Sequence, residues 1–83
     1  MNAENIDLTQ PTLKIAVKSA LTAYFSTLDG ASPNNIYQLV VEEIERPLLE
    51  VVMQHAKDNQ SVAAKWLGLS RNTLRKLLEK YSL

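Results

Sequence analysis

The chain of 83 residues has no cysteine, one histidine and two glycines. Without cysteine it can form neither disulfide bonds nor thiolate metal sites, and nothing in it points to an oxidising compartment. It also has no glycine-rich phosphate loop and no pairing of a nucleophile with a base, so the sequence offers no basis for catalysis. We therefore expect a protein that is not an enzyme and that needs no metal ion or cofactor.

Long apolar runs are missing as well. No stretch approaches the ~20 consecutive apolar residues that a membrane-spanning helix needs. Residues 1–10 have neither the basic start nor the apolar segment of a secretion signal. We expect a soluble cytoplasmic protein with one small domain, near the size at which a monomer buries only a modest core. A partner subunit would enlarge that core.

The net charge is zero, but the charges are unevenly distributed along the chain. Residues 1–56 hold three basic and seven acidic side chains, a net charge of −4. Residues 57–83 hold six basic and two acidic side chains, a net charge of +4. A basic end on an acidic chain is typical of proteins that bind a polyanion, although charge alone says nothing about specificity.

Residues 1–12 are mostly polar, and we expect this N-terminal segment to be flexible. Beyond it, apolar residues recur at steps of three and four, which predicts helix A over 13–28 with Thr12 as its N-cap. The helix should end at Asp29 and Gly30, because glycine tolerates the left-handed cap conformation. The apolar face of helix A is formed by Leu13, Val17, Ala20, Leu21, Tyr24 and Leu28.

Helix B is predicted over 34–57, with Ser32 as N-cap and Pro33 in the first turn. Pro47 should kink it, or else divide it into two helices. Its apolar residues surround most of the axis, which is typical of a buried helix, so we expect it to pack against its twin in a homodimer. The interruption is an acidic group, read as a solvated face in which Glu42 pairs with Arg46. That group is Glu42, Glu43 and Glu45.

Two short helices follow. Asn59 is a good N-cap for helix C over 60–67, Gly68 ends it, and Ser70 caps helix D over 71–80. Two short helices joined by a turn that contains glycine are typical of the helix-turn-helix unit. Ala64 should keep the contact between the helices close, and Trp66 is expected to be a packing residue rather than a base-stacking platform. The aliphatic residues predicted between the helices are Leu67, Leu69, Leu74 and either Leu77 or Leu78.

The polar residues of helix D are the candidate DNA contacts, since this is the helix that would enter the major groove. They are Arg71, Asn72, Thr73, Arg75 and Lys76. Arginine can pair with guanine, and the lysines suit phosphates. Asn59 and Ser61 begin helix C, where backbone N–H groups attract phosphate, or else they only cap the helix.

The stretch from Leu13 to Tyr81 resembles the Fis family, the factors for inversion stimulation, which are bacterial nucleoid proteins that bend DNA. The runs ERPLLE and NTLRK are the most specific part of the likeness. The resemblance implies a homodimer interlocked through helices A and B (13–57), with a DNA-binding region (58–83) from each subunit in successive major grooves. Binding would be loosely sequence-specific, and the recognition helices would lie closer together than one DNA turn, so DNA must bend.

By position, the resemblance makes Arg71 a base contact. It assigns phosphate contacts to six residues, namely Asn59, Ser61, Thr73, Arg75, Lys76 and Lys80. The chain departs from the family at three positions: Ser70, itself a candidate DNA contact, replaces a base-contacting Asn, and Leu77 and Glu79 replace Lys. The segment before helix A is too short for the β-hairpin arms that touch recombinases, so we expect recombinase contact to be weak or absent.

The sequence therefore predicts an all-α, four-helix subunit of an intertwined homodimer that binds and bends duplex DNA as a transcriptional regulator of the nucleoid. Two alternatives stay open. One is a detached DNA-binding domain of an enhancer-binding response regulator, whose C-terminal helices are similar. The other is a dimeric interaction module whose basic end meets an acidic protein.

Overall fold

The computed structural model describes residues 11–83, and it confirms an all-α chain. The helices are α1 (Pro11–Thr27), α2 (Ile36–His55), α3 (Gln60–Leu67) and α4 (Arg71–Lys80). The expectations of a flexible N-terminal segment and of missing arms fall mainly on residues 1–10, which lie outside the described residues. Thr12 is not an N-cap, because it is the second residue of α1 and the helix begins before it.

The chain divides into two compact units between Asn34 and Asn35, and α1 is the helix of the first. Most of the predicted apolar face of α1 is half-buried, namely Val17, Leu21, Tyr24 and Leu28. Leu13, at its start, is 52% exposed. The helix ends at Thr27, one residue before the predicted bound, and the predicted Asp29 and Gly30 follow it in left-handed conformations, at φ +50° and +87°.

Helix α2 opens the second unit and runs without interruption through Pro47, so the alternative of two separate helices is wrong. The predicted start at Ser32 and Pro33 is also wrong. Asn35 has φ +57°, a left-handed conformation that a right-handed helix cannot include, and α2 therefore begins at Ile36. It ends at His55, two residues earlier than predicted, since Ala56 is its C-cap.

The core of the second unit lies where α3 and α4 pack against the C-terminal half of α2. Its buried side chains are Leu49, Ala56, Ala63, Ala64, Leu74, Leu78 and Tyr81. The small Ala63 and Ala64 are almost fully inaccessible, which lets the short helices approach closely. Leu78 is the buried member of the predicted pair, and Leu77 packs against the core from its edge.

Trp66 lies on the outer surface of α3, and its side chain is 58% exposed. Within this chain Trp66 is therefore not packed into the core, contrary to the expectation that it is a packing residue. The inward positions of this eight-residue helix are occupied by Ala63 and Ala64, and the close approach of the helices at these small residues leaves no room for an indole.

Candidate nucleic-acid interface

The two short helices of the candidate interface begin with side-chain caps. The Asn59 side-chain carbonyl oxygen accepts a hydrogen bond from the Val62 N–H at 3.2 Å. Ser70 Oγ accepts one from the Thr73 N–H at 3.1 Å and donates one to Thr73 Oγ1 at 2.9 Å. These contacts confirm both predicted caps, and they explain why α3 and α4 have the predicted bounds.

The turn between α3 and α4 depends on Gly68. Its φ of +74° is left-handed, and its backbone N–H points back to α3, 3.2 Å from the Lys65 carbonyl oxygen. The next N–H, of Leu69, donates to the Ala64 carbonyl oxygen at 2.9 Å, so two of the last four carbonyls of α3 find partners in the turn. A Cβ added to Gly68 would meet no atom within 4 Å, so conformation rather than space favours glycine here.

Helix α4 has two distinct faces. Leu74 and Leu78 point into the core, while the polar side chains of the first turns are exposed. The Arg75 guanidinium donates a hydrogen bond to Asn72 Oδ1 at 2.5 Å, which ties together two of the candidate DNA contacts. All of the predicted contact residues are exposed, namely Asn59, Ser61, Ser70, Arg71, Asn72, Thr73, Arg75, Lys76 and Lys80.

Lys80, in the last turn of α4, forms a salt bridge that the sequence did not predict. Its Nζ lies 3.3 Å from Glu42 Oε2 on α2 and 5.3 Å from the centre of the Tyr81 ring. The hydrogen bond to the Glu42 carboxylate raises the pKa of Lys80 above its ordinary value. The shift favours the charged ammonium, which is the form that pairs with the Glu42 carboxylate.

Tyr81 joins the end of α4 to α2. Its hydroxyl donates to Glu45 Oε1 at 2.5 Å, and its carbonyl oxygen accepts from the Arg46 guanidinium at 2.9 Å. The removal of the Tyr81 side chain from water raises the pKa of its hydroxyl, and the Glu45 carboxylate raises it further. The predicted pair of Glu42 with Arg46 is wrong, because Arg46 turns to Tyr81 and Glu42 to Lys80.

Sequence reasoning missed this contact between α2 and α4. The spacing of Glu42, Glu45 and Arg46 places them on neighbouring positions of one helix, but it gives no partner outside that helix. The one available signal was the tyrosine directly after an amphipathic helix, because a buried tyrosine hydroxyl usually finds a hydrogen-bond partner.

Two further kinds of feature are absent from the part of the chain that the structure describes. Within residues 11–83, no cluster of three His, Cys, Asp or Glu side chains could hold a metal ion. No helix in that part of the chain is both long and apolar enough to cross a membrane.

Comparisons with known proteins point to one family. The family model described as "Bacterial regulatory protein, Fis family" matches residues 40–81. The chain is 51% identical over 67 residues to a putative Fis-like DNA-binding protein of Ralstonia nicotianae, which covers 81% of this chain and 87% of that protein. It is 47% identical over 76 residues to the DNA-binding protein Fis of Proteus mirabilis, which covers 92% of this chain and 78% of that protein. The DNA-binding protein Fis of Sodalis glossinidius matches to the same extent.

Proposed function

This chain belongs to the Fis family of bacterial regulatory proteins, and we propose that it binds and bends duplex DNA as a homodimer and thereby regulates transcription in the nucleoid of the bacterial cytoplasm. Its relatives are named as DNA-binding proteins, a non-enzymatic kind of protein. They cover most of this chain, which does not favour the alternatives of a detached regulator domain or of an interaction module.

The observation that carries DNA binding is the two-faced helix α4. It is held to α3 by leucines on one side, and on the other it presents exposed polar side chains on a basic helix. Arg71 stands at its first position, where a helix in the major groove reaches base edges, and its fork of donors fits guanine. Lys76, a turn and a half further on, suits the phosphate backbone.

Phosphates would also meet the start of α3. Asn59 uses its side-chain carbonyl oxygen for the cap, which leaves its NH₂ group free to donate, and Ser61 is exposed beside it. The first N–H groups of the helix add a partial positive charge at this end. Capping and phosphate contact are therefore compatible in Asn59, and we assign it both roles.

The homodimer is supported by an apolar stripe along α2. Tyr37, Val41, Ile44, Leu48 and Val51 follow each other at alternating steps of four and three, the spacing of a helix that packs on another helix. Four of them are between 41% and 82% exposed, although they are large apolar side chains. Such a stripe is expected to be covered by a partner, and a second copy of the chain offers the same stripe.

Base reading and phosphate binding can be separated by two substitutions. Arg71→Ala should lose roughly 1–3 kcal/mol of DNA-binding free energy per half-site and reduce the difference in affinity between good and poor DNA sites. Lys76→Ala should weaken all sequences alike and lower the slope of log affinity against log salt by about 0.9 for the phosphate lost in each half-site. Binding titrations across salt on two DNA sequences measure both effects.

Lys14→Ala is the matched control, because it removes an exposed lysine from α1 and should leave both the affinity ratio and the salt slope unchanged. If Arg71→Ala and Lys76→Ala behave identically on the two sequences, the assignment of their roles is wrong. A wild-type protein without a steep salt dependence on duplex DNA would contradict the proposed function.

DNA bending follows from the dimer. Two recognition helices match straight DNA when they lie about one turn, ~34 Å, apart, and we infer from the family that they lie closer here, so the DNA must curve. Bending a site of 20–30 base pairs by 40–90° costs on the order of 1–6 kcal/mol, so flexible central steps should bind better although no side chain touches them. Circular-permutation gel shifts measure the bend, and an unbent complex would refute it.

A further inference from the structure

The basic side chains of α4 differ in what they contact in the free protein. Lys80 is paired with Glu42, with 3.3 Å between Nζ and the carboxylate oxygen. Arg71, Arg75 and Lys76 form no salt bridge with any residue of 11–83. One of the four cations of this helix is therefore partly neutralised before any DNA arrives.

Lys80 also lies where a phosphate contact is expected. It follows Lys76 by one helical turn, so the two side chains extend from the same side of α4. Its side chain is 44% exposed, so its ammonium can be reached by a phosphate. A helix whose first turns enter the major groove brings a cation at this later position towards the DNA backbone.

The salt bridge is not what holds α4 in place. The Tyr81 hydroxyl bound to Glu45 and the Arg46 guanidinium bound to the Tyr81 carbonyl oxygen fix the end of the helix through other atoms. Glu42 itself is oriented from its own helix by Gln38, whose amide donates to Oε2 at 3.3 Å. Removal of the Glu42 charge should therefore release the lysine side chain without moving the helix.

We propose that Glu42 competes with the DNA backbone for Lys80 and thereby lowers the affinity of this chain for duplex DNA. The inference rests on the proposed function, since it needs α4 to bind DNA. To contact a phosphate, Lys80 must first leave a carboxylate, so the net gain from that contact is smaller than for an unpaired lysine. The carboxylate that is left behind also attracts cations, which reduces the net release of counterions.

A comparison of Glu42→Gln with Glu43→Gln tests the proposal. Both variants remove one negative charge from α2, but Glu43 is the exposed neighbour and has no salt bridge to Lys80. Glu42→Gln should bind duplex DNA at low salt roughly twofold to fivefold more tightly than Glu43→Gln, the range expected for one exposed ion pair. The difference should shrink as salt is raised, because the free ion pair is itself screened.

The same pair of variants in a Lys80→Gln background completes the test. Without the lysine, Glu42→Gln and Glu43→Gln should bind DNA equally, because the tighter binding of Glu42→Gln comes from breaking its salt bridge with Lys80 and not from the change in net charge. Equal or weaker binding of Glu42→Gln in the original background, or a gain that survives Lys80→Gln, would overturn the role of Glu42. Absence of wild-type binding to duplex DNA at low salt would overturn the proposed function itself, which separates the two failures.

Discussion

Leu48→Asp should abolish the dimer and, with it, the folded state. Leu48 lies in the middle of the apolar stripe of α2 and is 47% exposed in the single chain, so a partner subunit would have to bury it. An uncompensated carboxylate in a dimer core costs several kcal/mol, a large part of the stability of a small protein. Light scattering and thermal unfolding of the variant should show loss of the dimer together with loss of helical structure.

The matched control for this substitution is Gln54→Asp. It adds the same charge to an exposed position of α2 that lies outside the stripe, and it should leave the dimer intact. If light scattering shows that the wild type is a folded monomer at micromolar concentration, the obligate dimer is wrong.

The part of the fold that could be predicted residue by residue is the part determined by local contacts. Helices α3 and α4 have the predicted bounds because Asn59 and Ser70 accept from N–H groups three residues ahead, and Gly68 adopts the left-handed cap that no other residue adopts as easily. Such contacts depend on a few neighbouring residues, so the sequence pattern is enough to find them.

The starts of the longer helices could not be predicted in the same way. Thr12 and Ser32 are both suitable caps, yet α1 begins before the first and α2 begins well after the second. A cap residue permits a helix to start and does not require it. The left-handed Asn35 decides the start of α2, and asparagine adopts that conformation in only some of its positions.

In the candidate site, too, the features set by local sequence could be predicted and those set by distant contacts could not. The exposed face of α4 followed from its amphipathic pattern, because Leu74 and Leu78 fix which side is buried. The pairing of Lys80 with Glu42 did not follow, since these residues are 38 positions apart and no periodicity relates them. The exposure of Trp66 could not be predicted for a related reason, because its burial depends on what the neighbouring helix places opposite it.

Helix α2 connects the proposed dimer to the DNA-binding helices. The adjacent residues Leu48 and Leu49 point to different surroundings: Leu48 lies on the exposed stripe, and Leu49 is 1% exposed in the core beneath α3 and α4. Because both faces belong to one continuous helix, the way two copies of α2 pack would set the distance between the two copies of α4. The bend imposed on DNA is thus expected to depend on residues that never touch it.

Leu74→Ala should unfold the helix-turn-helix region under conditions in which the wild type is folded. Leu74 is fully buried, and its neighbours in the core include Ala63 and Ala64, whose side chains have no other rotamer with which to fill a cavity. The substitution should lower the free energy of unfolding by about 2–5 kcal/mol. Urea unfolding at matched protein concentration should show the midpoint lowered by on the order of 1 M or more.

Leu77→Ala is the control for this effect, since it removes the same atoms from the same helix at a half-buried position. It should cost much less, because part of that side chain is already in water and less apolar area is lost. DNA binding should fall with stability in Leu74→Ala and recover when the variant is cooled or stabilised, because the contact face of α4 is unchanged. Equal midpoints for the two variants would show that Leu74 is not the centre of this core, and a loss of binding by a folded Leu74→Ala would place the residue in the interface instead.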